Sequence, residues 1–141
     1  RRAYAPVTVL FCCRRASDEQ VEQIRRVVEG RQGSVEQKRF YDYERLDGLF
    51  HGAIANAANT ALLSHQLEVS YGQLWFSKVG NLVSLPEYSV IETIAEHRRI
   101  VDALMRRKED VAKAEMISHL RAAIDISERS TAKKRNNRKI I

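Results

Sequence analysis

The sequence predicts an all-α protein, an antiparallel bundle of six to seven helices. Glycine and proline are scarce, with Pro6 and Pro86 the only prolines, and the alternation of β-branched and polar residues that is typical of strands is almost absent. Apolar residues recur instead at the three- and four-residue spacings of amphipathic helices. The length of 141 residues suits one domain with a single core that needs no disulfides.

The first two helices are predicted from their start and stop signals. The segment "APVTVLFCCRRA" places Pro6 in a first turn, where proline is tolerated, and its length favours a buried helix. Ser17 and the glutamine three residues later form a capping box for a helix over 18–29. Gly30 is the expected end of that helix, since glycine is the commonest residue just past a helix C-terminus.

The remaining elements follow a polar link, "RQGS". Asn59 and Asp110 are the expected N-caps of two of the helices, because their side chains can accept hydrogen bonds from free backbone N–H groups. A loop is expected over Gly80 to Pro86. The helices predicted after the link cover 41–58, 60–79, 87–107 and 111–129.

The net charge of +6 is concentrated at one end of the chain. From Glu128 to Ile141 there are six Lys or Arg and one acid, which leaves the rest of the chain about neutral. A body without a basic face is a weak candidate for binding duplex DNA by itself. We therefore expect one domain over residues 1–129 and a basic, disordered tail over 130–141.

No membrane segment or secretion signal is indicated. The apolar run "VTVLFCC" is too short to span a bilayer, and no small-residue cleavage site follows it. Cys12 and Cys13 are adjacent, which is a poor geometry for a structural disulfide, so both are expected to be reduced core residues. We expect a soluble, cytoplasmic protein without membrane contacts.

Polar residues interrupt the apolar faces of three predicted helices. In "RLDGLFHGAIANAAN", Asp47 and His51 are one turn apart and lie on the face that should be buried. His97 and His119 each fall within an apolar stripe of their own helix. One buried histidine is commonly satisfied by a backbone carbonyl, but three with an aspartate are costly to bury unless they satisfy one another.

A divalent metal ion would satisfy this set by accepting three imidazole lone pairs and one carboxylate oxygen. The alternative from spacing alone is a hydrogen-bonded polar cluster without metal. Thr93 lies one turn before His97 and faces the same region, where it could contact a ligand or be a tolerated helix residue. His65, the fourth histidine, is expected to be a half-buried surface residue.

Evidence for catalysis is slight in the sequence. There is no HExxH, P-loop, GxG turn or CxxC motif, and no catalytic residue is predicted. A helical metalloenzyme, in which the same metal activates water, is kept as an alternative. Turnover of a bound acid would distinguish that function from simple binding.

Several segments together resemble a known family. "DGLFH", followed by "AANTALL" and then by "EHRRIVDALMRRKEDVAKAEMISHL", is similar to the FCD domain, the effector-binding C-terminal domain of FadR-subfamily GntR transcription regulators. The opening "RRAYAPVTVLFCCRRASDEQVEQIRRVVE" resembles the first two helices of that domain. The resemblance covers about residues 1–129.

The resemblance implies a homodimeric, ligand-sensing domain that holds zinc, nickel or manganese. It carries the metal ligands onto the residues singled out above, namely Asp47, His51, His97 and His119. It implies a small carboxylate or sugar-acid effector, held in part by an arginine near the start of the first helix, which Arg1 or Arg2 would match; Arg2 is the choice. Thr93, selected above by its spacing from His97, is the other candidate effector contact. Ala5 stands where the family has a glutamate, and Phe11 with the two cysteines replaces small alanines, so the first helix could pack differently.

The winged helix-turn-helix domain that binds DNA in such regulators is absent from this sequence. DNA binding is therefore expected only through an N-terminal domain that this chain does not include. The chain is expected to be a fragment cut at the domain boundary, with a stand-alone sensor as the alternative.

Overall fold

The computed structural model describes residues 3–79 and 87–137. Within these ranges it contains six α-helices and no strand, which confirms the predicted all-α class. No helix in the described ranges is both long enough and apolar enough to cross a membrane. The helices are α1 (Ala5–Arg15), α2 (Asp18–Glu36), α3 (Phe40–Ala57), α4 (Ala61–Val79), α5 (Glu87–Met105) and α6 (Glu109–Asn137).

Helix α2 begins as predicted but ends seven residues later than the sequence suggested. Ser17 Oγ accepts from Gln20 N at 3.1 Å, and Gln20 Oε1 accepts from Ser17 N at 2.9 Å, which confirms the capping box. Gly30 does not end the helix. A Cβ at Gly30 would lie 3.5 Å from Leu46 Cδ1, so this position is packed against α3, and such packing overrides the low helix propensity of glycine.

The "RQGS" segment is therefore helical and not a link. The chain reverses instead at Lys38, whose φ of 55° places it in the left-handed region. Arg39 N donates to Ser34 O at 2.7 Å across this turn. The extension matters for the site because it places Arg31 in a buried turn of α2.

Two predicted N-caps have other positions in the structure. Asn59 has a φ of 53° and donates its N–H to Asn56 O at 3.1 Å, so it lies in the left-handed turn that follows α3. Asp110 lies inside the first turn of α6, which begins one residue earlier. Both residues favour helix termini, and the sequence did not distinguish the cap from its neighbouring positions. The predicted loop over 80–86 lies outside the described residues.

Helix α6 continues beyond the boundary at residue 129, so the backbone of residues 130–137 is helical where a disordered tail was expected. That expectation was based on charge, although lysine and arginine are good helix formers. Residues 138–141 lie outside the described part of the chain.

The core lies where α1, α2, α3, α5 and α6 pack together, and α4 packs on α3. Cys12 and Cys13 are both buried free thiols, as predicted. Burial raises the pKa of the Cys12 thiol to about 12, an effect that the neighbouring Cys13 increases. The largest buried apolar side chains include Ile24, Phe50, Ile54, Ile94, Ile100, Leu104 and Met116.

Candidate metal centre

Three histidines from three helices meet in the centre of the bundle. His51 comes from α3, His97 from α5 and His119 from α6, and each side chain is at most 2% exposed. His119 Nε2 lies 3.2 Å from His97 Nε2 and 3.3 Å from His51 Nε2. The periodicity that places each histidine on an apolar face therefore brings their ring nitrogens to one point.

The spacing of these nitrogens fits a shared metal ion. A Zn–N bond of about 2.0–2.1 Å with tetrahedral angles separates two ligand nitrogens by about 3.3 Å. Hydrogen bonding among the rings is a poorer solution, because the Nε2 atom of a neutral His119 has a single lone pair and cannot accept from both other rings. A metal ion would instead accept one lone pair from each of the three.

Asp47 lies at the edge of this group. Its Oδ1 is 3.7 Å from His97 Nε2 and 3.1 Å from Arg31 Nη1, and the residue is 6% exposed. The carboxylate is thus near the ligand side of the His97 ring. Within residues 3–79 and 87–137, however, the group of mutually close ligand atoms consists of the three histidines. Its assignment as the fourth ligand stays a prediction.

Glu96 orients His119 from the neighbouring helix. Its Oε2 lies 2.7 Å from His119 Nδ1, and the carboxylate is buried beside the ring. Since a carboxylate only accepts, His119 Nδ1 carries the proton and Nε2 presents its lone pair to the centre. Glu96 was not predicted from the sequence, where its place directly before His97 was the one available signal.

Arg31 is the second residue at this centre that was not predicted from the sequence. The side chain is 1% exposed, and its Nη1 lies 2.5 Å from His97 Nδ1. Its guanidinium also lies over the Tyr43 ring, 4.1 Å from the centroid. Because α2 was predicted to end at residue 29, Arg31 was assigned to a polar link. An arginine in such a link is expected to be exposed to solvent.

The His97 ring is held neutral by its surroundings. Burial, followed by the positive charge of Arg31, lowers the pKa of His97 well below its ordinary value, while the charge of Asp47 opposes this shift. Phe50 stacks on the ring with a centroid distance of 3.9 Å and an angle of 18°. A metal ion binds a neutral imidazole through the ring nitrogen that carries no proton, so neutrality meets one of the two conditions and the tautomer decides the other.

Three further residues were discussed from the sequence, namely Thr93, Arg2 and His65. Thr93 is half-buried and hydrogen-bonds the hydroxyl of Tyr43, whose pKa burial raises to about 12. Tyr43 therefore contacts both Thr93 and Arg31. A role of Thr93 in binding an effector stays a prediction. Arg2 lies outside the described residues. His65 is exposed on α4, and not half-buried as expected.

Comparison with known proteins establishes the family. The sequence model of the FCD domain matches residues 1–122, so this chain belongs to the FCD domain family, the effector-binding domains of GntR-type transcription regulators. A search of curated proteins found no match.

A solved structure, "E. coli McbR/YncC", is similar with a TM-score of 0.79 at 16% sequence identity. The alignment covers 92% of this chain and 61% of that chain, so this chain spans about three fifths of its length. At this identity the likeness supports the fold, which confirms the predicted FCD-type helical bundle.

Proposed function

We propose that this FCD domain binds one divalent metal ion through His51, His97 and His119, with Asp47 as a fourth ligand. The observation that carries the proposal is the convergence of three buried Nε2 atoms at separations of 3.2 and 3.3 Å. Zinc, nickel and manganese are the candidate ions, because imidazole with one carboxylate suits several divalent metals. The bound ion would supply a Lewis-acidic point to which a carboxylate can bind.

The proposed ligand is a small organic acid, such as a carboxylate or a sugar acid. Support comes from the family and from the buried positive charge of Arg31 next to the histidines. Such an acid can alter regulation only through a difference in its affinity for two arrangements of the protein. We propose that these are two arrangements of a homodimer, which position N-terminal DNA-binding domains differently.

The proposal assigns a sensing role and not a catalytic one, in keeping with the regulator family. The metalloenzyme alternative predicts conversion of a bound acid to product. Nuclear magnetic resonance of a metal-loaded sample incubated with a candidate acid distinguishes the two. An unchanged ligand spectrum supports sensing, and accumulating product supports the enzyme.

A purely structural alternative has an observation in its favour. Arg31, His97, His119 and Glu96 form a continuous chain of polar contacts. If this chain alone satisfies the core, chelation will leave the melting temperature unchanged. If the metal is part of the folded state, chelation will lower the melting temperature, because binding energy is then part of folding energy.

The direct test of the effector proposal is a thermal-shift screen of small carboxylates with zinc, nickel or manganese. Wild-type protein is compared with His119→Ala, which lacks a proposed ligand, and with His65→Ala, whose histidine is exposed on α4. We expect stabilisation by an acid in the wild type and in His65→Ala, and none in His119→Ala. Equal stabilisation of all three would place acid binding elsewhere.

A further inference from the structure

Arg31 occupies an unusual position for an arginine. The guanidinium is almost fully buried, yet its Nε–H has no hydrogen-bond partner among the residues that the structure describes. Its Nη1 contacts both His97 Nδ1, at 2.5 Å, and Asp47 Oδ1, at 3.1 Å. An unsatisfied donor on a buried cation is costly, so this position favours an additional anionic acceptor.

The contact with His97 dictates which ring nitrogen carries the proton. A guanidinium has donors only, so His97 Nδ1 must accept from Arg31 Nη1. In a neutral ring the proton is then on Nε2, which faces His119 Nε2 at 3.2 Å and Asp47 Oδ1 at 3.7 Å. This is the tautomer in which Nε2 has no lone pair to offer.

Metal binding requires the opposite tautomer. If His97 Nε2 binds a metal ion, the proton of the neutral ring is on Nδ1, and two donors then face each other across the contact with Arg31. The positive guanidinium would also repel the cation. The Arg31–His97 hydrogen bond and a metal ion on His97 Nε2 therefore exclude each other.

We propose that Arg31 is a gate on the metal site, closed by its hydrogen bond to His97 and opened by a carboxylate ligand that binds the guanidinium. The carboxylate supplies the acceptor that Nε lacks and draws Nη1 away from His97 Nδ1. His97 is then free to adopt the Nδ1–H tautomer and to bind metal through Nε2. The inference rests on the proposed function and adds a regulation to it, because metal and carboxylate binding become mutually reinforcing.

The gate is tested by measuring the zinc affinity of wild type, Arg31→Gln and a control, Arg25→Gln, by competition with a chromogenic chelator. Arg25 is on the same helix, and its guanidinium forms a half-buried ion pair with Glu22 in place of a histidine contact. Acetate is the carboxylate probe, because it binds zinc only weakly by itself. Glutamine is a suitable replacement because its amide oxygen can accept from His97 Nδ1–H.

We expect Arg31→Gln to bind zinc more tightly than wild type by on the order of 10- to 100-fold, the value of a hydrogen bond to a charged group. Acetate should raise the zinc affinity of wild type and of Arg25→Gln but not that of Arg31→Gln. Equal or weaker zinc binding by a folded Arg31→Gln would refute the gate and leave the metal site intact. Failure of every protein to bind zinc would refute the metal site, and the gate with it.

The tautomer of the His97 ring can be measured directly. An arginine with only a structural role would not determine which nitrogen of that ring carries the proton. Long-range ¹H–¹⁵N spectra of the metal-free protein, with His97 assigned through a His97→Gln variant, should show a proton on Nε2 in wild type and on Nδ1 in Arg31→Gln. A wild-type ring with its proton on Nδ1 would overturn the proposal. This measurement, like the acetate dependence of wild type, remains decisive if Arg31→Gln does not fold.

Discussion

Replacing Glu96 should weaken metal binding without removing any proposed ligand. Its carboxylate lies 2.7 Å from His119 Nδ1 and is 9% exposed, so the contact is a charge-assisted hydrogen bond in a largely dry environment. Through it, Glu96 fixes the ring orientation and makes the Nε2 lone pair a better donor to a metal ion. Loss of such an outer partner typically lowers metal affinity about 10- to 100-fold, equivalent to about 1.4–2.7 kcal/mol.

Two replacements of Glu96 should lower the metal affinity by different amounts. Glu96→Gln keeps an oxygen that can accept from His119 Nδ1 but loses the charge, so its effect should lie near the tenfold end. Glu96→Ala loses both and should lie near the hundredfold end. Competition with a chromogenic chelator measures each affinity, and Glu92→Gln, an exposed glutamate on the same helix, is the matched control. Unchanged affinity in Glu96→Ala would refute the orienting role.

Three further changes test the packing, the capping and the ionisation inferred here. Phe50→Ala removes a fully buried ring stacked on His97 and should lower the free energy of unfolding in urea by about 3–5 kcal/mol; a loss under about 1 kcal/mol would contradict the packing. Ser17→Ala deletes the cap on Gln20 N and should cost about 1 kcal/mol, visible as a lower melting temperature. Because burial raises the Cys12 pKa from 9.0 to about 12, the unfolded state loses this proton first as pH rises. Stability should therefore fall between pH 9 and 12 by up to about 1.4 kcal/mol per pH unit, and a Cys12→Ala variant should lack this component.

The sequence was sufficient for the fold class and for the histidines because both depend on periodicity. Apolar spacing defines which face of a helix is buried, and a histidine within that face must point into the core. The helices and the meeting of His51, His97 and His119 follow from this rule. The segments that resemble the FCD domain then allowed the family to be predicted, and the match over residues 1–122 confirms it.

Arg31 and Glu96 could not be found in the same way. The glycine at position 30 indicated the end of α2, and only packing against Leu46 of α3 shows why the helix continues. Local sequence does not report such contacts, so Arg31 was assigned to a link. Glu96 directs its carboxylate to a histidine of another helix, and this pairing depends on the relative placement of α5 and α6.

Metal content of the purified protein tests the central claim most directly. Elemental mass spectrometry of wild type, His119→Ala and the exposed-site control His65→Ala should be combined with melting curves before and after chelation. The account predicts about one equivalent of zinc, nickel or manganese in wild type and His65→Ala, its loss in His119→Ala, and a lower melting temperature after chelation. Absence of metal from wild type, with no uptake and no change in melting when these ions are added back, would contradict it and leave the three histidines as a hydrogen-bonded core.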